Sequence, residues 1–282
     1  MEEIDLKKIP CFGVAGNFTG HLEQAGEAVD FKNVKTAEKN APKAIFPTYI
    51  PGGKNSVPEF LTLYPFDSEK IVYPKGEQRI QIEPECAVVC NVKWNGSKIE
   101  DLIPFAFGAS NDCSIRKEGA KKISQKKNWG KSSKGFSDNR LTIDSFTENG
   151  ILSRYRIASF LIRSGKVFVY GEDSPVSGYS YIYKKLVAWM IEKFNFQADE
   201  GPAENINAYL NDSGRPDKIM VSIGATRYTD FGEHNFLEAG DASAVVLYPQ
   251  DKYSLEQIKS LVLKKDFSAK DISFLYQTVT LV

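Results

Sequence analysis

Strand signals outnumber helix signals along this chain. The clearest run is 78–92, where Ile80 and Ile82 alternate with Gln81 and Glu83 before the segment turns wholly apolar. Pro84 inside that run marks an edge or an irregular position, because proline cannot donate to a ladder. The segments 11–18, 44–50, 59–64, 102–108, 218–224 and 242–248 also carry the apolar content of strands. A loop at 109–113 is expected to follow 102–108. Residues 150–170 read as strands around a Ser164-Gly165 turn, and Pro51-Gly52-Gly53 is a further turn signal.

Helical spacing appears in fewer places. Ile182, Leu186, Trp189, Met190 and Phe194 share one face over 181–194. Ser254 opens a second helix through 263, with Gln257 completing a capping box. A short helix over 20–27, capped by Thr19, is expected as well. Residues 28–43 are polar and read as a loop. No internal repeat and no linker composition divides the chain. Residues 1–282 are therefore read as one α+β, β-rich domain with a few peripheral helices.

The composition excludes several classes. The chain has 282 residues with 42% hydrophobic and 26% charged, ordinary values for a soluble protein. Acids and bases balance at 36 each, so no global field selects nucleic acid or membrane. No apolar run reaches the roughly 18 residues of a membrane span, and the N-terminal stretch lacks the apolar centre of a signal peptide. A cytoplasmic location is the expectation. Cys11, Cys86, Cys90 and Cys113 form no CxxC pair and read as buried thiols in a reducing compartment. With only His21 and His234, a polyhistidine metal site is excluded.

One stretch departs from this balance. Over 116–134, Arg116, Lys117, Lys121, Lys122, Lys126, Lys127, Lys131 and Lys134 face a single acid, Glu118. Interleaved glycine and serine predict a mobile surface loop. It reads either as a solvated charge run or as a lid drawing in anionic substrates. Only Trp129 could stack a base, so nucleic acid is not the expected partner.

The candidate chemistry is acidic. Glu83 and Glu85 are two apart in a strand, so their side chains share a face. Two carboxylates together suit either bulk water or a cation between them. Asp112, in a Ser-Asn-Asp loop, reads alone as turn chemistry. Together the three form an all-oxygen set suited to Mg²⁺, Mn²⁺ or Ca²⁺ rather than zinc or copper. Such an ion would leave positions open for a chelating oxo acid and polarise its carbonyl.

Seven segments in order resemble the fumarylacetoacetate hydrolases. AGNFTGHLEQAG at 15–26 is similar to the family's opening motif, with Asn17, His21 and Gly26 matching. PKAIFPTYIPG at 42–52 resembles its following apolar-proline strand, and EPECAVV at 83–89 its E-x-E-x-A-V-V metal strand. SNDCSIR at 110–116 resembles the G-N-D-V-S-A-R loop, and NWGKSSKGFSDN at 128–139 the stretch after it. IMVSIGATRYTDFG at 219–232 and FLEAGDASAVVLY at 236–248 are like two later strands.

The resemblance implies a mixed β-roll, a homodimer, and Mg²⁺- or Mn²⁺-dependent chemistry on a small anionic oxo acid or 1,3-dicarbonyl. Glu83, Glu85 and Asp112 would hold the ion. Lys134 would neutralise developing enolate charge or orient water. Arg116, Gly224 and Thr226 would bind substrate, and His21 would be the acid–base residue on a lid helix. C–C hydrolysis, decarboxylation and tautomerisation all occur in the family. Gln24 stands where the family has its lid glutamate, and glutamine cannot accept a proton as a carboxylate does. Glu23 and Glu27 are spaced for other faces of a continuous helix. The expected reaction therefore tilts toward decarboxylation or tautomerisation, with ligand binding without catalysis as the alternative.

Overall fold

A computed structural model of the protein describes residues 4–281, apart from 30, 32, 33, 35, 37 and 118. Its strands in chain order begin with β1 (Cys11–Ala15), β2 (Ala44–Tyr49), β3 (Lys70–Tyr73), β4 (Ile80–Gln81) and β5 (Pro84–Asn95). Then come β6 (Lys98–Asn111), β7 (Ser114–Ile115), β8 (Gly135–Phe136), β9 (Leu141–Thr142) and β10 (Tyr155–Arg163). The last are β11 (Lys166–Pro175), β12 (Lys218–Ala225), β13 (Ala242–Pro249) and β14 (Ser273–Leu281). The α-helices are α1 (His21–Gln24), α2 (Tyr183–Phe196), α3 (Ile206–Asp212), α4 (Asp230–His234) and α5 (Leu255–Lys264).

One mixed sheet runs β2-β1-β12-β5-β6-β8, with β9 also on β6, and a second runs β11-β10-β13-β14-β3. Strands β1 and β12 are parallel, while β12–β5 and β5–β6 are antiparallel. The wholly apolar run of β5 has a physical reason. Cys86, Val88 and Cys90 enter the main core, while Ala87 and Val89 pack with Met220 and Phe136 in a second cluster. A strand buried on both faces loses the alternation of a half-exposed one. All four cysteines are free and buried, as expected.

Helix α2 seats Leu186, Met190 and Phe194 in the main core, Phe194 meeting Phe12 edge-on at 5.0 Å. Helix α5 begins at Ser254 with the expected capping box and buries Ile258 and Val262. Pro47 is tolerated within β2 because β2 lies at the edge of its sheet.

Several elements differ from expectation. Residues 59–62 form a 3₁₀ turn instead of a strand, since Pro58 caps a segment too short to join a ladder. Strand β6 extends to Asn111, so most of the expected 109–113 loop is paired with β5. The 78–92 run splits at Ile82 and Glu83, with β4 pairing β7 instead of continuing into β5. Pro84 is accordingly the first residue of β5. Helix α1 stops at Gln24, and Gly20, not Thr19, caps it; Thr19 Oγ1 instead meets Ser180 Oγ at 3.3 Å. Strands β3 and β14 and helices α3 and α4 were not anticipated. The loop expected over 28–43 falls partly on 30, 32, 33, 35 and 37, which lie outside the described residues.

Candidate active site

The β5–β6 hairpin brings its acidic ends together. Register pairs Glu85 with Ser110 and Pro84 with Asn111, leaving Glu83 and Asp112 just beyond the ladder. The Asp112 N–H donates to the Glu83 carbonyl at 3.0 Å, and the Glu83 N–H donates to Asn111 Oδ1 at 3.1 Å. Asn111 is itself anchored by Gln277 Oε1 at 3.0 Å. Carboxylate oxygens of Glu83, Glu85 and Asp112 thus lie within 4.8 Å of one another, all buried.

Burial of three such acids demands compensation. Glu85 accepts the Gly224 N–H at 2.7 Å. Burial, with Asp112 and Glu83 alongside, pushes the Glu85 carboxyl well above the usual range. Burial acts the same way on Glu83, but Lys127 and Arg116 overcome it and hold Glu83 well below that range. Lys127 Nζ lies 2.5 Å from Glu83 Oε2 and 2.8 Å from Asp112 Oδ2. Lys134 Nζ lies 2.9 Å from Asp112 Oδ1 and donates to the Cys113 carbonyl. Its burial lowers the Lys134 ammonium from the ordinary lysine range.

Arg116 is the hub of a wider network. Its guanidinium reaches Glu83 Oε1 and Glu27 Oε1 at 2.7 Å each, Gln81 Oε1 at 2.7 Å and the Tyr228 hydroxyl at 2.9 Å. Lys126 Nζ also lies 3.5 Å from Glu27. Burial alone would raise Glu27, yet Arg116 and Lys127 keep it lowered.

His21 faces the same cavity with Glu27, Glu83, Glu85 and Lys127. Its Nδ1 is buried without a hydrogen-bond partner among the described residues. Burial drops its pKa to about 4, so the imidazole is neutral near pH 7. Val14, Leu22, Phe46 and Ile123 complete the walls of a cavity of only about 10 Å³, room for the centre of one water molecule. Gly224 and Thr226 flank it on the chain leaving β12, where the Thr226 N–H donates to the Pro84 carbonyl at 3.1 Å.

Two site residues escaped the sequence reading. Glu27 enters the cavity because α1 ends early and Gly26, at φ 69°, turns the chain inward. The signal was the glycine directly before it. Lys127 belonged to the run expected on the surface at 116–134. Lys126, Lys127 and Lys134 are instead buried, drawn in by the acids beneath them. The Gln24 amide is engaged elsewhere, bonding Tyr228 main-chain atoms and Glu233 at 2.9–3.1 Å. Trp129 donates its indole N–H to the Val72 carbonyl at 2.9 Å. No described helix is long and apolar enough to cross a membrane.

Residues 27–279 match the family of unknown function DUF5718. No curated protein matches the chain. Among solved structures, Cg1458 with inhibitor superposes with a TM-score of 0.55 at 14% identity, covering 97% of this chain and 77% of its own. The 2-keto-3-deoxy-D-arabinonate dehydratase complexed with magnesium and 2,5-dioxopentanoate superposes at 0.54 with 16% identity, covering 97% and 73%. A protein of Oleispira antarctica described as a fumarylacetoacetate isomerase/hydrolase gives 0.51 at 13% identity, covering 96% and 93%. These likenesses establish the fold: a mixed β-roll with peripheral helices.

Proposed function

This chain belongs to the DUF5718 family and has the fumarylacetoacetate hydrolase fold, and from that premise we propose that it is a divalent-metal-dependent enzyme acting on a small oxo acid or 1,3-dicarbonyl. The observation carrying this reading is the convergence of Glu83, Glu85 and Asp112 oxygens within 4.8 Å inside the protein. The donor set is all oxygen, which suits Mg²⁺ or Mn²⁺, with Ca²⁺ as a further fit. A divalent cation would also relieve the mutual repulsion that burdens Glu85. The dehydratase of the same fold is complexed with magnesium and 2,5-dioxopentanoate, which supports both the cation and the substrate class.

When bound, such a cation supplies Lewis-acid polarisation of a carbonyl oxygen. The chain's own residues do the rest. Lys134, held by Asp112 and the Cys113 carbonyl, offers a fixed positive donor beside the triad for charge developing on the substrate. Neutral His21 takes or returns a proton at a ring nitrogen facing the cavity. The turn at Gly224 and Thr226 receives the substrate carboxylate. Arg116, its guanidinium engaged by Glu27, Glu83, Gln81 and Tyr228, positions the acids and reaches the substrate only if that network opens. Val14, Leu22 and Phe46 give the cavity apolar walls, and a low-dielectric surround strengthens each charged contact.

The Gln24 amide is held by Tyr228 and Glu233 and the Glu27 carboxylate by Arg116, so neither is free to activate water with His21. Decarboxylation or tautomerisation fits this site better than C–C hydrolysis. The test is turnover of a panel of 2-oxo acids and 1,3-dicarbonyls by Mn²⁺-loaded protein. Activity that Glu85→Gln removes is expected, and undiminished turnover in excess chelator sinks the reading.

The water-sized cavity favours a second reading, ligand binding without turnover. Thermal stabilisation by oxo acids with Mn²⁺, and no product from any of them, would select it.

A further inference from the structure

Lys127 occupies an unusual position for a lysine. Its ammonium nitrogen sits between two of the three carboxylates, 2.5 Å from Glu83 and 2.8 Å from Asp112. The side chain is 3% exposed. The other oxygens are taken as well, Glu83 Oε1 by Arg116 at 2.7 Å and Asp112 Oδ1 by Lys134 at 2.9 Å, so a cation coordinated by Glu83, Glu85 and Asp112 meets oxygens that are already paired. An ammonium and a divalent ion sharing these two carboxylates would lie only roughly 4 Å apart, and like charges at that range repel strongly in a buried site.

The segment carrying Lys127 is docked at both ends. Lys122 Nζ reaches Asp199 and the Ala203 carbonyl at 2.6 Å each, and Ser124 Oγ donates to Glu204 at 2.5 Å. On the far side, Asn128 donates to the Thr48 and Leu63 carbonyls at 2.8 and 3.1 Å. The backbone is therefore held, and an exchange at the acids is a movement of the side chain about its own bonds. Glu27, which lines the same cavity and pairs with Arg116 at 2.7 Å, is an acid toward which the ammonium can turn, and the Phe46 ring centre lies 5.1 Å from Lys127 Nζ.

We infer that Lys127 is a built-in counter-cation for the acidic triad, so that divalent-metal loading is an exchange in which the Lys127 ammonium leaves Glu83 and Asp112. This rests on the metal reading of the site and adds its regulation. The metal-free protein is already charge-compensated and folded. Metal affinity is set by a competition within the chain, and the cavity takes ion and substrate only after Lys127 has moved.

The experiment is a Mn²⁺ titration, by calorimetry and by electron paramagnetic resonance of the free ion, on wild type, Lys127→Met and Lys127→Met/Glu85→Gln. Removing the competing charge is expected to tighten Mn²⁺ binding by on the order of tenfold or more, and the added Glu85→Gln to abolish the gain. Wild type should gain little melting temperature from Mn²⁺, and Lys127→Met much. If Lys127→Met does not fold, Lys127→Gln, which keeps a hydrogen-bond donor, carries the same comparison. Recovery of a folded variant only with Mn²⁺ also supports the exchange. Equal or weaker binding by the variant than by a Mn²⁺-binding wild type overturns the exchange and leaves the metal site standing. Binding by neither protein overturns the metal reading and the exchange with it.

Discussion

The main-chain N–H of Gly224 donates to Oε2 of Glu85 at 2.7 Å, joining the end of β12 to the acidic strand. This contact spans 139 residues of sequence. It exists because β12 pairs β5 with an irregularity between Ser222 and Ala225, which turns an N–H toward the carboxylate. The Gly224 carbonyl is fixed in turn by the Tyr179 hydroxyl at 2.7 Å.

Gly224→Ala should therefore damage the site as well as the fold. Gly224 has φ 122°, outside the range of ordinary L residues, and an added Cβ would lie 3.0 Å from the Asn17 Cβ. A cost of about 1–3 kcal/mol is expected from backbone strain. Denaturant unfolding should show it, together with weaker Mn²⁺ binding. Wild-type values in both measurements would contradict this account of Glu85.

Arg116→Met should be among the most destabilising single changes. It leaves Glu27 and Glu83 buried without the guanidinium now 2.7 Å from each. Breaking one side of a buried ion pair costs about 3–5 kcal/mol. Arg116→Lys restores charge but not a planar fork able to reach four partners, so it should recover only part of the loss. A urea midpoint for Arg116→Lys equal to wild type would show that charge alone matters.

Glu83 and Glu85 were legible from their spacing of two, whereas Asp112, just past the end of β6, reads alone as turn chemistry and joins them through the family resemblance. Local periodicity is enough to align the two glutamates, and the antiparallel β5–β6 hairpin brings Asp112 beside them. Lys127 was not legible, since lysines among glycines and serines look the same whether water or carboxylates receive them. What buries Lys127 is Glu83 and Asp112, 44 and 15 residues away, so the cause lies in tertiary structure. Glu27 is hidden in the sequence for a related reason. Extending α1 through 27 placed it on a distant helix face, whereas the Gly26 turn ends that geometry and re-aims it. The strands of the roll were read well where both faces are apolar, and poorly at 59–62, where a proline converts the same apolar content into a turn.

Asn17 supplies a test of how the histidine segment is held. Its Nδ2 donates to the Tyr181 and Ile223 carbonyls at 2.9 and 2.8 Å, and its Oδ1 accepts the Tyr181 N–H at 2.9 Å. Asn17→Ala removes three buried hydrogen bonds, each worth about 1 kcal/mol. Asn17→Asp keeps the acceptor but turns a buried carboxylate oxygen toward two carbonyls. The aspartate variant should thus melt below the alanine variant at neutral pH, and the reverse order would refute the assigned roles.

Glu204 sets a pH dependence away from the triad. It is buried, and that burial raises its pKa from 4.5 to about 7, although the Ser124 hydroxyl, donating at 2.5 Å, pulls the other way. A carboxyl with a raised folded pKa keeps its proton where the unfolded chain has lost it. Stability is then greatest below the unfolded value, falls as pH rises through about 4.5 to 7, and levels off above. The largest loss that this shift allows is about 3 kcal/mol. Glu204→Gln removes the titration, so it should stabilise the protein at about pH 8 and change little at about pH 4.5. Because Ser124 anchors the segment that carries Lys127, backbone amide exchange over 123–128 should slow in the variant at the higher pH. A Glu204→Gln protein whose gain in melting temperature is the same at both pH values would rule out the buried proton as its cause.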